Sequence, residues 1–145
     1  MIRIKNVTKD YGSNKGVFDL SFEVQDQETF GLLGMEGAGK TTLLQILMGF
    51  SNLSGGRCTI NAKHCWKQST GIKNFTGYLP QKITLPESMT GLQFFRFLAD
   101  LRNRKKPGKK RSAQQMHLSW TLQKKIRDLN QEEKKKLAIA GVISS

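Results

Sequence analysis

Acidic residues are scarce in this chain. Eleven stand against 24 basic ones in 145 residues, which leaves a formal net charge of +13. Cysteine is scarce too: Cys58 and Cys65 are the only two, too few to staple a fold, and they suggest a reducing compartment. With two histidines in all, His64 beside Cys65 has no second ligand pair, which argues against a structural metal site. No apolar run is long enough to cross a bilayer, so the chain itself is expected to be soluble. Nor does a charged-then-apolar leader open it, because Met1-Ile2-Arg3-Ile4-Lys5 goes directly into an alternating strand. There is no internal repeat. What remains, with 37% apolar residues, suits one domain or part of one with a real core.

The positive charge is unevenly spread. Residues 101–145 hold thirteen Lys/Arg and three Asp/Glu, whereas residues 1–100 hold eleven and eight. Such a patch suits nucleic acid, an anionic membrane face or plain water. One aromatic, Trp120, lies near it, without the aromatic interleaving of an RNA-binding surface. A solvated or membrane-facing surface is therefore favoured, and no nucleic-acid partner is expected.

The stretch that carries chemistry is Gly34-Met35-Glu36-Gly37-Ala38-Gly39-Lys40-Thr41-Thr42. Glycine, four residues, then Gly-Lys-Thr is the spacing of a phosphate-binding P-loop. Phosphates need a ring of backbone N–H donors, and only residues without bulky side chains let the backbone curl that tightly. Lys40 is placed to reach the β- and γ-phosphates, and the Thr41 hydroxyl to ligate Mg²⁺. Glu28 to Leu33 reads as a short buried strand running into the loop. Leu43, Leu44, Ile46, Leu47 and Met48 read as an apolar helix that stops at Gly49. Strand, glycine loop and helix together aim a helix N-terminus at an anion.

Around this centre, residues 2–7 alternate as a plausible edge strand, and Asp10 to Gly16 form a turn-rich hairpin link. Strand character resumes from Val17 to Val24. Tyr11, alone in a polar stretch, either stacks on a base or caps the hairpin. Ser51 to Arg57 reads as a turn, Cys58 to Asn61 as a short strand, and Phe75 to Gln81 as a second strand broken by Pro80. Thr90 is a credible N-cap for a helix from Gly91 to about Asn103, with Phe94, Phe95, Leu98 and Leu101 as a core stripe. Arg104 to Arg111 reads as an exposed loop and Ser112 to Lys125 as a weak helix. Asn130-Gln131-Glu132-Glu133 matches a capped helix start, with Asn130 as cap and Glu133 three positions on.

Taken in order, these residues resemble the ATP-binding subunit of an ABC transporter, most like bacterial drug- and bacitracin-export members. Val7 to Gly12 is similar to the family's opening strand and A-loop aromatic, which implies that Tyr11 stacks on adenine. Gly31 to Thr42 resembles its Walker A strand and loop. Gly77-Tyr78-Leu79-Pro80-Gln81 resembles its Q-loop, which implies that Gln81 touches Mg²⁺ and senses the membrane partner. Met89-Thr90-Gly91-Leu92 and the aromatic stripe resemble the start of its helical subdomain. The resemblance covers essentially the whole chain.

It implies an incomplete α/β P-loop NTPase fold of ABC type, with N-terminal antiparallel strands, a P-loop strand and helix, and a partial helical subdomain. Residues 1–88 would be a portion of the nucleotide-binding core, 89–130 the helical subdomain and 131–145 the start of the signature helix. The implied ligands are ATP and Mg²⁺, held by Tyr11, Gly34 to Thr42 and Gln81, with Thr41 and Gln81 on the metal. The implied partners are a membrane permease and a second ATP-binding subunit, at the cytoplasmic face of the membrane. The implied activity is to energise export; the alternative is a vestigial nucleotide-binding or interaction module without transport activity.

Three departures from the family pattern stand out. The chain ends where the strand with the Walker B aspartate and catalytic glutamate is expected, so it reads as truncated and little hydrolysis is expected of it alone. Leu129-Asn130-Gln131-Glu132-Glu133-Lys134 stands where the family has Leu-Ser-Gly-Gly-Gln, which puts two carboxylates where a partner's phosphate would arrive. Leu53-Ser54-Gly55-Gly56 looks like that signature but falls just after the P-loop helix, in the wrong place. Finally, Met35-Glu36 replaces the usual Pro-Asn or Pro-Ser, and Glu36 either faces solvent or turns inward and weakens phosphate binding. Without further strands, Leu43, Leu47 and the helix over 137–143 are expected to be partly uncovered.

Overall fold

A computed structural model describes residues 1–13, 15–101 and 122–144. The chain divides into two compact units, Met1–Thr76 and Gly77–Ser145. Among the described residues, no helix is long and apolar enough to cross a membrane.

The first unit is built on a four-stranded antiparallel sheet. Its strands are β1 (Ile2–Asp10), β2 (Gly16–Val24), β3 (Gly55–Ile60) and β4 (Lys63–His64), in the order β2-β1-β3-β4. β1 is thus an interior strand, paired to β2 on one side and β3 on the other. This corrects the edge-strand expectation, since single-strand alternation does not reveal how many neighbours a strand has.

Simple alternation would also put Ile4 and Val7 on opposite faces. Both are buried in one core, Ile4 at 3% exposure and Val7 at 0%. The reason is a bulge: Ile4 pairs with Phe22 and Val7 with Leu20, so β1 carries one extra residue there. Asn6 absorbs it at φ 47°, in the left-handed region that Asn tolerates. β2 answers with an extra residue of its own at Asp19, φ 46°, between the Leu20 and Val17 pairings. The two irregular residues are tied together, Asn6 Nδ2 donating to Asp19 Oδ1 at 2.8 Å. On the other flank, Gly56 at φ 82° presses on the carbonyls of Lys5 and Asn6.

Two helices belong to this unit, α1 (Lys40–Leu47) and α2 (Ser69–Lys73). Leu43 and Ile46 of α1, three positions apart, join Val7, Val17, Cys58, Cys65 and Ile72 in the core. Leu43 is therefore covered, at 2% exposure, contrary to the expectation that missing strands would bare it. The antiparallel sheet supplies that cover. Apolar exposure falls instead on the approach to the loop, with Leu33 at 94% and Met35 at 84%.

The segment Glu28 to Leu33 is not a strand. A parallel strand needs neighbours to satisfy its N–H and C=O groups, and none is present among the described residues. The segment is held to β2 by the Phe30 ring, stacked on Phe22 at 4.9 Å between centroids. Phe75 to Gln81 is likewise no strand.

The second unit holds α3 (Gly91–Leu101), a 3₁₀ turn (Ile126–Asp128) and α4 (Gln131–Ser144). Phe94, Phe95, Ile126, Leu129, Leu137 and Ala140 form its core. Leu98 packs partly against that core, but Leu101 stays 67% exposed. Thr90 caps α3 as expected, accepting from Gln93 N while Gln93 Oε1 accepts from Thr90 N. Residues 102–121, which include the expected basic loop and most of the weak helix, lie outside the described residues; Leu122 to Lys125 form a turn and a bridge.

The bulge makes a stability prediction. Gly12 and Gly56 both have positive φ, but a β-carbon on Gly12 meets nothing within 4 Å, whereas one on Gly56 stands 2.6 Å from Lys5 O. Gly12→Ala is expected to cost about 1–2 kcal/mol, the ordinary left-handed penalty. Gly56→Ala is expected to cost clearly more, because backbone must move. Urea midpoints of the two variants check this; equal losses would mean that the bulge contact is slack.

Candidate nucleotide site

The P-loop joins the end of β2's neighbour segment to α1. Gly37 and Gly39 both take φ 81°, which lets the chain turn back on itself. Gly39 is the N-cap of α1 and offers no side-chain cap. It is also tightly seated: a β-carbon there would stand 2.5 Å from Gly16 O and 2.6 Å from Val17 Cγ2. Glycine is required at this position on both counts.

Inside the loop, Ala38 N donates to Met35 O at 3.2 Å and Leu43 N to Gly39 O at 2.9 Å. Among the described residues no protein acceptor meets the amides of Gly37, Gly39, Lys40, Thr41 and Thr42. Several of these are the orphan donors that every helix start leaves, and they lie where the helix dipole is positive. Lys40 Nζ folds over the loop and donates to Gly34 O at 2.7 Å and Met35 O at 2.6 Å. A nucleotide's phosphates would compete with these two carbonyls for the ammonium. Glu36 is exposed and forms no hydrogen bond or ion pair among the described residues. Thr41 is exposed and its hydroxyl is unbonded to protein, Thr42 is half-buried, and Gly34 and Met35 are exposed.

Tyr11 sits in the turn of the β1–β2 hairpin, directly after the Asp10↔Gly16 pair. Because Gly16 is what Gly39 rests against, the aromatic and the loop are fixed to one corner of the sheet. The Tyr11 ring is 54% exposed, its hydroxyl lies 3.3 Å from Ser51 Oγ, and Lys9 Nζ lies 5.1 Å from its centroid. An exposed ring anchored by its hydroxyl presents a flat face. Ser51 carries no signal in the sequence; it follows the end of α1 and is recognisable only once the hairpin is folded against it. Gln81 belongs to the second unit, where it is exposed. It adjoins a groove of about 360 Å³ lined by Tyr78, Leu79, Ile83, Phe94, Leu98 and Val142.

The altered signature stretch is a finished helix cap. Asn130 Oδ1 accepts from Glu133 N at 2.9 Å, and Glu133 Oε2 accepts from Asn130 N at 2.8 Å. Glu132 is paired to Lys136 at 2.5 Å, and the Lys136 ammonium holds its carboxyl below the usual range. The Leu53 to Gly56 look-alike instead leads into β3, where Gly55 pairs with Thr8.

A family model described as ABC transporter matches residues 17–145. The chain belongs to the ABC transporter family. Among curated relatives, the ABC transporter ATP-binding protein sll0415 of Synechocystis sp. is 45% identical over 82 residues, covering 57% of this chain and 23% of the relative. The molybdate/tungstate import ATP-binding protein WtpC of Pyrococcus abyssi is 33% identical over 147 residues, covering 99% of this chain and 42% of the relative. A dimeric ATP-binding cassette, solved in a post-hydrolysis state with ADP and Pi, has the same fold with TM-score 0.81 at 19% identity, covering 99% of this chain and 69% of that one. The chain thus spans under half the length of these two curated relatives, and it has the α/β fold of the ABC ATP-binding domains.

The cap at α4 is testable by itself. Asn130→Ala is expected to lose about 1 kcal/mol, within the usual 0.5–2 kcal/mol for a cap. Asn130→Ser, which keeps an acceptor, is expected to retain most of it. Thermal or urea unfolding distinguishes the two; equal losses would mean that the bond is not what holds the helix start.

Proposed function

We propose that the chain is the N-terminal part of an ABC transporter's ATP-binding subunit and that it holds ATP and Mg²⁺. The observation that carries this reading is the set of amides of Gly37, Gly39, Lys40, Thr41 and Thr42, which meet no protein acceptor among the described residues, at the dipole-positive start of α1. The cofactor's phosphates fit them in charge, since the same corner adds the Lys40 ammonium and no protein acceptor already occupies these donors. In this reading Gly34 to Gly39 wrap the phosphates by backbone. Lys40 leaves the Gly34 and Met35 carbonyls for the β- and γ-phosphates, and Thr42 backs the loop. Tyr11 offers its face to adenine, with Ser51 holding the hydroxyl. Thr41 supplies a free hydroxyl for Mg²⁺, and Gln81 is assigned to Mg²⁺ by the likeness of Gly77 to Gln81 to the family's Q-loop. Bound ATP would supply a terminal phosphoanhydride to be cleaved; these residues bind and orient it.

The longer protein's partners are proposed at the same level. A second ATP-binding subunit is supported by the dimeric relative. A membrane permease, met at the cytoplasmic face through the helical part and the Gln81 segment, is supported by the apolar groove beside that segment. One relative is an import protein by name, so the proposal is ATP-driven transport without a direction. Residues 1–88 are assigned to the nucleotide core, 89–130 to the helical subdomain and 131–145 to the signature helix. That helix meets no partner phosphate with free capping groups, since Asn130 and Glu133 satisfy one another.

Titration with a fluorescent ATP analogue tests the reading. Lys40→Ala removes a charge-assisted bond of about 1.5–3 kcal/mol, and so is expected to weaken binding roughly 10- to 100-fold. Tyr11→Ala should lose roughly 5- to 150-fold, by the roughly 1–3 kcal/mol of base stacking, while Tyr11→Trp should bind nearly as the wild type does. Equal, negligible affinity in wild type and Lys40→Ala would sink the proposal.

A further inference from the structure

Cys58 and Cys65 face one another across the β3–β4 hairpin. Thr59 pairs with His64 and Ile60 with Lys63, which makes the two cysteines the next opposed pair. Cys65 N donates to Cys58 O at 3.0 Å, and the two sulfurs are 2.8 Å apart. Both thiols are free and buried, with 0% and 1% exposure. Neither takes part in the proposed nucleotide chemistry.

Sulfurs this close need to move by less than about 1 Å to reach the roughly 2.05 Å of a disulfide. We infer that Cys58 and Cys65 form a redox modification site, a dithiol that closes to a disulfide on reaction with a hydroperoxide. Access comes from position: β4 is two residues long and outermost in the sheet, and such edges open at lower free energy than a core. The order of attack follows from position, since Cys65 directly follows the edge strand β4 whereas Cys58 lies on β3 inside the sheet. The side-chain hydrogen bond with Cys58 lowers the Cys65 thiol, whereas the same bond and burial push Cys58 up. The Cys65 thiolate attacks the peroxide oxygen, the O–O bond breaks, and water leaves with a sulfenic acid on Cys65. The Cys58 sulfur then attacks the Cys65 sulfur, the S–O bond breaks, and a second water leaves. Two thiols and hydrogen peroxide become one disulfide and two waters, and a dithiol reductant reverses the exchange.

The site lies behind the phosphate loop's helix. Both cysteines share the core of Leu43 and Ile46, and a β-carbon on Gly49, just past α1, would stand 2.5 Å from Cys65 O. Closing the pair therefore braces the floor on which α1 ends.

The test uses the full wild-type chain, reduced, freed of reductant and treated with hydrogen peroxide. Alkylation in denaturant is expected to label two cysteines before treatment and none after it. Trypsin, cutting after Arg57, Lys63 and Lys67, should yield the Cys58–Lys63 and His64–Lys67 peptides as one species joined by a disulfide and separated by dithiothreitol. In Cys58→Ser the sulfenic acid has no partner, so dimedone should trap it on Cys65. Thiols that remain alkylatable, irreversible oxidation of a single cysteine, or disulfides between chains instead of within one would each overturn the inference. The peptide linkage is read on wild type, so a variant that fails to fold leaves the test standing.

Discussion

Gly39 pressed against Gly16 and Val17 is the contact on which the geometry of the glycine loop depends. A loop that binds phosphate must leave its amides unpaired, so it cannot be held by its own hydrogen bonds. Something beside it must supply the rigidity. Here the hairpin supplies it on one side through Gly16, whose partner Asp10 precedes Tyr11. Leu43 and Ile46 supply it on the other by anchoring α1 in the core. The Lys40 ammonium closes the ring by bridging Gly34 and Met35. The hairpin and the core act from outside the donor set, and the Lys40 bonds are the ones a bound phosphate would take over.

Features that depend on a few adjacent residues were legible in the sequence. The loop, the Thr90 and Asn130 caps and the extent of α1 are all set by local chemistry, and the structure has them where the spacing indicates. The parity of β1 was not legible. Asn6 takes a left-handed φ only because Asp19 and Gly56 meet it across two different strands, and no reading of one strand contains that. The five residues of α2 are too few to show a helical period.

Burial was legible in kind and misplaced in location. An apolar helix beside a glycine loop implies cover, and parallel strands were the assumed source. The antiparallel sheet reaches Leu43 and Ile46 by itself, because the double bulge turns Val7 into the same core as Ile4 and Val17. The residues left bare are those of the approach segment, whose backbone pairing would have to come from neighbouring strands. Leu32 packs partly against the core, and Phe30 stacks on Phe22, a contact of about 0.5–1.5 kcal/mol beyond burial. That is small beside a strand's ladder of hydrogen bonds, which explains why Leu33 and Met35 stand in solvent while Leu43 and Ile46 of the helix after them do not.

The two helix starts, α1 and α4, show how one structural resource is put to opposite uses. Both present orphan amides and a positive dipole end. At α1 the cap position is a glycine without a side-chain bond, so the amides stay open and an anion gains them. At α4 the cap is Asn130, and Glu133 returns the bond. A cap contributes about 1 kcal/mol, less than the roughly 1.5–3 kcal/mol of a bond to a charged group, so an incoming phosphate has enough energy to displace it. What opposes displacement is geometry. The two flexible glycines of the family's loop are replaced here by side chains already engaged, Glu132 toward Lys136 and Glu133 toward Asn130. Opening that cap would leave the Glu133 carboxylate without the backbone N–H that held it, so it would repel any phosphate brought there. The altered loop therefore loses donors first and gains repulsion only as those donors are exposed. The site at α1 suffers neither loss, because glycine holds it open.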